Sequence, residues 1–239
     1  AMCQADLLED AWNGTGQFQG TEPIRGFGAV AGVYEEACQI VVRADSEIST
    51  VEELEGHRVS VGEEESGTKQ NALQILAAYG LNEKLVEEVS LNYTEAAKEL
   101  ENGSIDAFFC TAGAQTAAIA NLAQRTGIRF LNVDGAAAAR LKKSYPVYDS
   151  CIIAAGTYPG QEEDVSTVGV KAVLLASDSV SAEVVEELTA LLFEEQQELD
   201  FALPVELITE ADAAADGLPV PFHKGAERYY ESRGEKSEN

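Results

Sequence analysis

The sequence predicts an α/β fold built as two lobes. Short β-type runs alternate with helical runs over most of the chain, the pattern of strand–helix–strand units. Residues 44–155 hold a complete β-α-β-α-β-α-β succession. The flanking stretches, residues 1–43 and 156–239, are too poor in such elements to stand alone and together supply the other lobe. With 239 residues, 45% of them hydrophobic, the chain is large enough for one to two domains with a sizeable core.

Each element has its own signal. Residues 39–43 (QIVVR) read as a strand and residues 58–62 (RVSVG) as a second. A helix is expected over residues 68–79, with Ala72, Leu73, Leu76 and Ala77 on one face. A strand over 86–91 and a helix over 94–100 follow, the helix closed by Asn102 and Gly103. Then come a strand over 105–110 (IDAFFC), a helix over 114–125 stopped at Gly127, a strand over 128–133 and a short helix over 136–143. Strands are expected again over 150–155 and 168–176. Ser181 is placed to cap a long helix whose Val184, Val185, Leu188, Leu191 and Leu192 form an amphipathic stripe. A second short helix over 219–233 precedes a charged, fraying tail over 235–239. Under this reading the chain passes between lobes twice, near QIVVR and near CIIAAGTY. Two such crossings make a two-strand hinge, as in a type 2 clamshell of the periplasmic-binding-protein kind.

Sixteen Lys and Arg against 42 Asp and Glu leave a net charge of −26. A field of that sign repels nucleic acid and anionic membrane surfaces. It suits a soluble protein in a salty or extracellular medium; the plainer reading is an ordinary solvated acidic surface, and salt adaptation the sharper one. No run approaches the ~18 apolar residues of a membrane span. No signal peptide is visible, but Ala1 stands ahead of Met2 as a cleaved tag leaves it, so location stays open on this ground. Cys3, Cys38, Cys110 and Cys151 are far apart, and His57 and His223 too few and too separate for zinc; no metal or cofactor is expected. Cys110, after Phe108 and Phe109, reads as a buried structural thiol.

Two strand-to-helix junctions stand out. In the first, VGEEESGT, Ser66 and Thr68 are helix-cap residues and Gly67 lets a ligand approach the backbone. A helix N-terminus there offers free N–H donors and a partial positive charge to a carboxylate. Glu63, Glu64 and Glu65 oppose an anion unless they point away. The second junction runs from Cys110 through Thr111, Gly113, Ala114 and Gln115 to Thr116. In open α/β sheets ligands sit beyond the carboxyl ends of strands, where both junctions fall. The plain alternative is a helix cap in one and a small-residue turn in the other. No GxSxG, Walker loop or HExxH is present. Asp106 and Asp134 have no histidine near them in sequence, and His223, in LPVPFH, reads as structural.

Beyond this local chemistry, the chain resembles the TAXI family of TRAP-transporter solute receptors. The matching stretches are DAWNGTG, VVRADS, VSVGEEESGT, AGAQTAAI, AAGTYPGQEEDVSTVGVKAVL and DGLPVPFHKGAERYY, in order along the chain. The resemblance implies an exported, periplasmic or cell-surface receptor. It would bind a small solute such as glutamate or another organic acid and hand it to membrane permease subunits without catalysis. It implies that Ser66, Gly67, Thr68, Thr111, Gly113, Ala114 and Gln115 line the cleft, with Asn13 and Tyr34 offered from the first lobe. Members of that family carry a further segment ahead of the stretch matching MCQADLLEDAWNGTG. Lobe one is accordingly expected to be incomplete at its N-terminus and its exposed edge covered by a second copy in a homodimer. The triple Glu63–Glu65 departs from the family, which tends to small residues or Pro there. The competing readings are an enzyme and a ligand-sensing domain on the same clamshell fold, since fold alone does not fix function.

Overall fold

The computed structural model describes residues 1–195 and 205–237. The chain divides into two compact units, one formed by residues 1–35 with 170–239, the other by residues 36–169. Both passages between them lie inside long strands, β2 (Phe27–Arg43) and β8 (Val165–Ser177). The expected crossings fell at 43/44 and 155/156; the observed ones lie at 35/36 and 169/170. The reason is packing, because Ala37, Val41, Tyr158 and Val165 all join one buried cluster with Phe108.

The unit of residues 36–169 carries β3 (Arg58–Ser60), α2 (Gly67–Ala78), β4 (Glu87–Val89), α3 (Tyr93–Asn102), β5 (Ala107–Ala112), α4 (Ala117–Arg125), β6 (Ile128–Phe130), α5 (Gly135–Ser144) and β7 (Asp149–Ile153). Strand β3 runs parallel to β4 on one side and to β5 on the other. Strand β2 pairs antiparallel with β5, placing Val41 opposite Phe108, and also with β6. Strand β7 pairs antiparallel with β8. The run Ala107–Cys110 is buried throughout, as a strand covered on both faces must be. Leu100 of α3 and Ile119 and Leu122 of α4 pack onto it.

Local chemistry sets the helix ends. Asn92 and Glu95 form a reciprocal capping box at the start of α3, and Gly103, at φ 75°, ends it in the left-handed region. The expected start of α4 at residue 114 is corrected to Ala117. Gln115 adopts φ 67° and Thr116 has ψ 125°, so neither continues a right-handed helix backward.

The unit of residues 1–35 and 170–239 carries β1 (Met2–Gln4), α1 (Ala5–Asn13), α6 (Ala182–Glu194), α7 (Ala211–Ala215) and α8 (Lys224–Ser237). Strand β1 pairs antiparallel with β8, Met2 opposite Leu174. Ser181 caps α6 as expected, its hydroxyl accepting from the Val184 N–H. Helices α6 and α8 touch at Gly225, where a Cβ would lie 2.3 Å from the Ala182 carbonyl oxygen; only glycine permits that approach. Phe193 stacks on Tyr229 with centroids 5.8 Å apart. His223 is buried and structural: its N–H donates to the Ala29 carbonyl and its Nδ1 accepts from the Gly225 N–H. Of the expected tail, residues 235–237 continue α8, and residues 238–239 lie outside the described residues. No helix among the described residues is long and apolar enough to cross a membrane.

Candidate functional site

Because β3, β4 and β5 are parallel neighbours, their carboxyl ends share one edge and their three following loops lie side by side. Gly62, at φ 99°, turns the chain out of β3, and a Cβ there would press to 2.9 Å on Thr68. Ser66 then caps α2: its Oγ accepts from the Lys69 N–H at 3.1 Å and donates to the Glu63 carbonyl at 2.7 Å. The N–H groups of Gly67 and Thr68, in the first turn, have no carbonyl four residues back within the helix.

Thr68 is buried and its hydroxyl lies 2.6 Å from Tyr93 Oη. Tyr93 opens α3 and donates to the Thr111 carbonyl at 2.9 Å, while the Thr111 N–H approaches Thr68 Oγ1 at 3.4 Å. The donors satisfy one another in a ring when Thr68 gives its proton to Tyr93. This ring ties together the loops after β3, β4 and β5. A second ring ties the loop before α4. Thr116 N–H donates to Tyr158 Oη at 3.0 Å, Tyr158 donates to Gln39 Oε1 at 2.6 Å, and Gln39 Nε2 returns to Thr116 Oγ1 at 3.2 Å. Thr116 in turn donates to the Gly113 carbonyl.

Between the rings sits Cys110, whose thiol burial pushes up to about 12. Burial likewise raises Tyr93 and Tyr158, against the lowering effect of their hydrogen bonds to Thr68 and Thr116. All three stay protonated at neutral pH, so none is poised as a base or nucleophile. Of the three glutamates, Glu64 is engaged by neighbouring side chains, bound by Lys69 Nζ at 2.6 and 2.7 Å and by the Ser90 hydroxyl at 2.6 Å. These bonds hold its carboxyl below the ordinary value.

Among the described residues, two that are not glycine have φ in the left-handed region, Glu65 at 60° and Gln115 at 67°. They fall one in each of the two loops. Such backbone costs of order 1–3 kcal/mol and persists where the surroundings over-determine it, most often at ligand sites. Gln115 is exposed, leaving its amide available at the same edge.

The structure thus brings Ser66, Gly67 and Thr68 together with Thr111 through one ring and anchors Gly113, Ala114 and Gln115 through the other. Asn13 and Tyr34 belong to the other unit: Asn13 is the exposed last residue of α1, and Tyr34 lies in β2, bridged to Leu207. Tyr93, Tyr158 and Gln39 were not anticipated. The signal for Tyr93 was its place directly after the Asn92 cap, at the end of β4. Asp106 does meet a histidine in space, His57 Nδ1 lying 3.1 Å from its Oδ2. Both precede their strands and so lie at the amino ends, opposite the loops, where Asp106 also accepts the Arg58 N–H at 2.9 Å. No group of side chains among the described residues is arranged to hold a metal ion. Of the four cysteines, Cys38 and Cys110 are buried and Cys3 and Cys151 half-buried.

The sequence matches the NMT1-like family over residues 1–234. The chain belongs to the NMT1-like family. Solved structures similar to this NMT1-like protein include the periplasmic aliphatic sulphonate binding protein SsuA from Escherichia coli. That match has 18% identity and TM-score 0.48, over 97% of this chain and 70% of that one. The alkanesulfonate-binding protein SsuA from Xanthomonas axonopodis pv. citri, bound to MOPS, matches with 16% identity and TM-score 0.44, over 96% and 64%. A TctC solute binding protein from Polaromonas matches with 16% identity and TM-score 0.46, over 99% and 77%.

Proposed function

We propose that this chain is the solute-binding receptor of a TRAP-type uptake system, of the TAXI kind, acting outside the cytoplasm. It takes a small organic acid such as glutamate at the carboxyl edge of β3 and β5 and passes it to membrane permease subunits. The observation that carries the reading is the strained pair Glu65 and Gln115, one in each strand-end loop, each loop locked from behind by a closed hydrogen-bond ring. The motif resemblance from DAWNGTG to DGLPVPFHKGAERYY supports the same reading.

The chemistry favours binding over turnover. The first-turn N–H groups of Gly67 and Thr68 present donors and the positive end of the α2 dipole to a carboxylate. Gln115 adds a neutral amide that can donate and accept. The neighbouring Cys110, Tyr93 and Tyr158 keep their protons. Titration calorimetry against glutamate, other amino acids and dicarboxylates should find one ligand bound once per chain and recovered unchanged. Silence across the whole panel, or release of a new product, would overturn the reading.

A further inference from the structure

A separate surface lies on α6, in the unit of residues 1–35 and 170–239. An amphipathic helix on a protein surface normally turns its polar face outward. Helix α6 buries Val185 and Thr189 and packs Leu192 against the core. Yet Val184, Leu188 and Leu191, spaced i, i+4 and i+7, form a second apolar row that is 55%, 40% and 48% exposed. At 100° per residue this row neighbours another made by Glu183, Glu187, Ala190 and Glu194, which lines an open cavity of about 770 Å³. Glu210 and Asp212 complete its acidic wall. Arg228 approaches Glu183 at 3.6 Å, while Arg233 lies over the Tyr229 ring and donates to its hydroxyl. The carboxylates stay in excess.

We infer that the apolar row of α6 and the acidic row beside it form a docking surface for a basic amphipathic helix of a partner protein. Leucine-type side chains of the partner cover Val184, Leu188 and Leu191, and its Lys and Arg residues meet Glu187 and Glu194. Charge complementarity selects this occupant. A second copy of the chain would bring the same acidic row and a further charge of −26, and like charges across an interface oppose association.

The probe is a labelled synthetic Leu/Lys peptide with leucines at helical spacing, set against a scrambled peptide of the same composition, both read by fluorescence anisotropy. The patterned peptide should bind at least ~10-fold more tightly. Leu188→Ser combined with Leu191→Ser should remove that preference, and its circular dichroism should match the parent because both side chains are half exposed. Glu187→Gln with Glu194→Gln, which leaves the apolar row intact, should weaken both peptides and flatten the salt dependence. Equal binding of the two peptides would reduce the surface to general attraction and overturn the inference. So would self-association in sedimentation, or pelleting with phosphatidylcholine vesicles, that the Leu188→Ser/Leu191→Ser variant abolishes, since a second copy or a lipid surface would then be the occupant.

Discussion

Thr68 and Tyr93 show how a hydroxyl expected to face a ligand can instead serve the scaffold behind it. Each completes the other's hydrogen bond where Thr68 is buried and Tyr93 half-buried, and a buried donor left without an acceptor costs about 1–3 kcal/mol. Thr68→Val should therefore lower the unfolding free energy by roughly that amount, read as a lower urea midpoint at unchanged slope, with Tyr93→Phe partly redundant with it because both open the same ring. Gln115 poses the opposite case. Replacing it by glycine relieves left-handed backbone strain of order 1–3 kcal/mol against a glycine entropy cost of roughly 0.5–1 kcal/mol. Gln115→Gly should stabilise the fold while weakening solute binding, measured by thermal melting and calorimetry on the same sample. Cys110 adds a pH dependence. Its folded value of about 12 lies above its ordinary value, so between the two the folded chain holds a proton that the unfolded chain has lost. The stability it contributes is complete below the unfolded value and disappears as pH rises toward 12; Tyr93 and Tyr158 shift in the same direction. Urea midpoints should fall above pH 9, and less steeply in Cys110→Ala.

At the scale of elements, the stretch from β3 to α5 was readable because its pieces carry their own period and their own punctuation, a start at Ser66 and a stop at Gly103. Ser66→Ala should cost ~1 kcal/mol through loss of the α2 cap, and it would loosen the loop that carries Glu65. The unread pieces have physical reasons. The first half of β2, FGAVAGVY, has its strand formers interrupted by Gly28, Ala29, Ala31 and Gly32, whose strand propensity is low, and tertiary contact decides it: a Cβ on Gly28 would lie 2.4 Å from the His223 nitrogen. Strand β1 and helices α1 and α7 are short, so tertiary contacts rather than a long period define them. The candidate site was legible as two strand ends. Its hydrogen-bond rings were not, because Gln39, Tyr93 and Tyr158 come from three distant stretches that only the sheet register brings together. Gly225 tests the α6–α8 contact: Gly225→Ala should destabilise despite alanine's better helix propensity, because its Cβ has no room beside Ala182.

For the whole molecule, the charge of −26 acts on the folded state as self-repulsion. Sodium chloride raised from ~0.05 to ~0.5 M shortens the screening length and should lift the melting temperature by several degrees; a flat response would mean the carboxylates are already locally compensated. The two mid-strand passages carry a different consequence, one of timing. Residues 36–169 are contiguous, so a ribosome delivers that unit whole while residues after 169 are still being made. The other unit joins the first 35 residues to the stretch after residue 169, and its β1–β8 pairing closes a loop of about 170 residues. Such distant pairings form late, because their loop entropy is met before any contact is gained. In vectorial synthesis the N-terminal 35 residues must wait, with Leu8 and Val30 uncovered, for a partner that emerges last. Nascent chains stalled once residue 169 has left the exit tunnel should already protect the amides of Val41 and Phe108 from hydrogen exchange, and leave those of β1 open until α8 has cleared the tunnel.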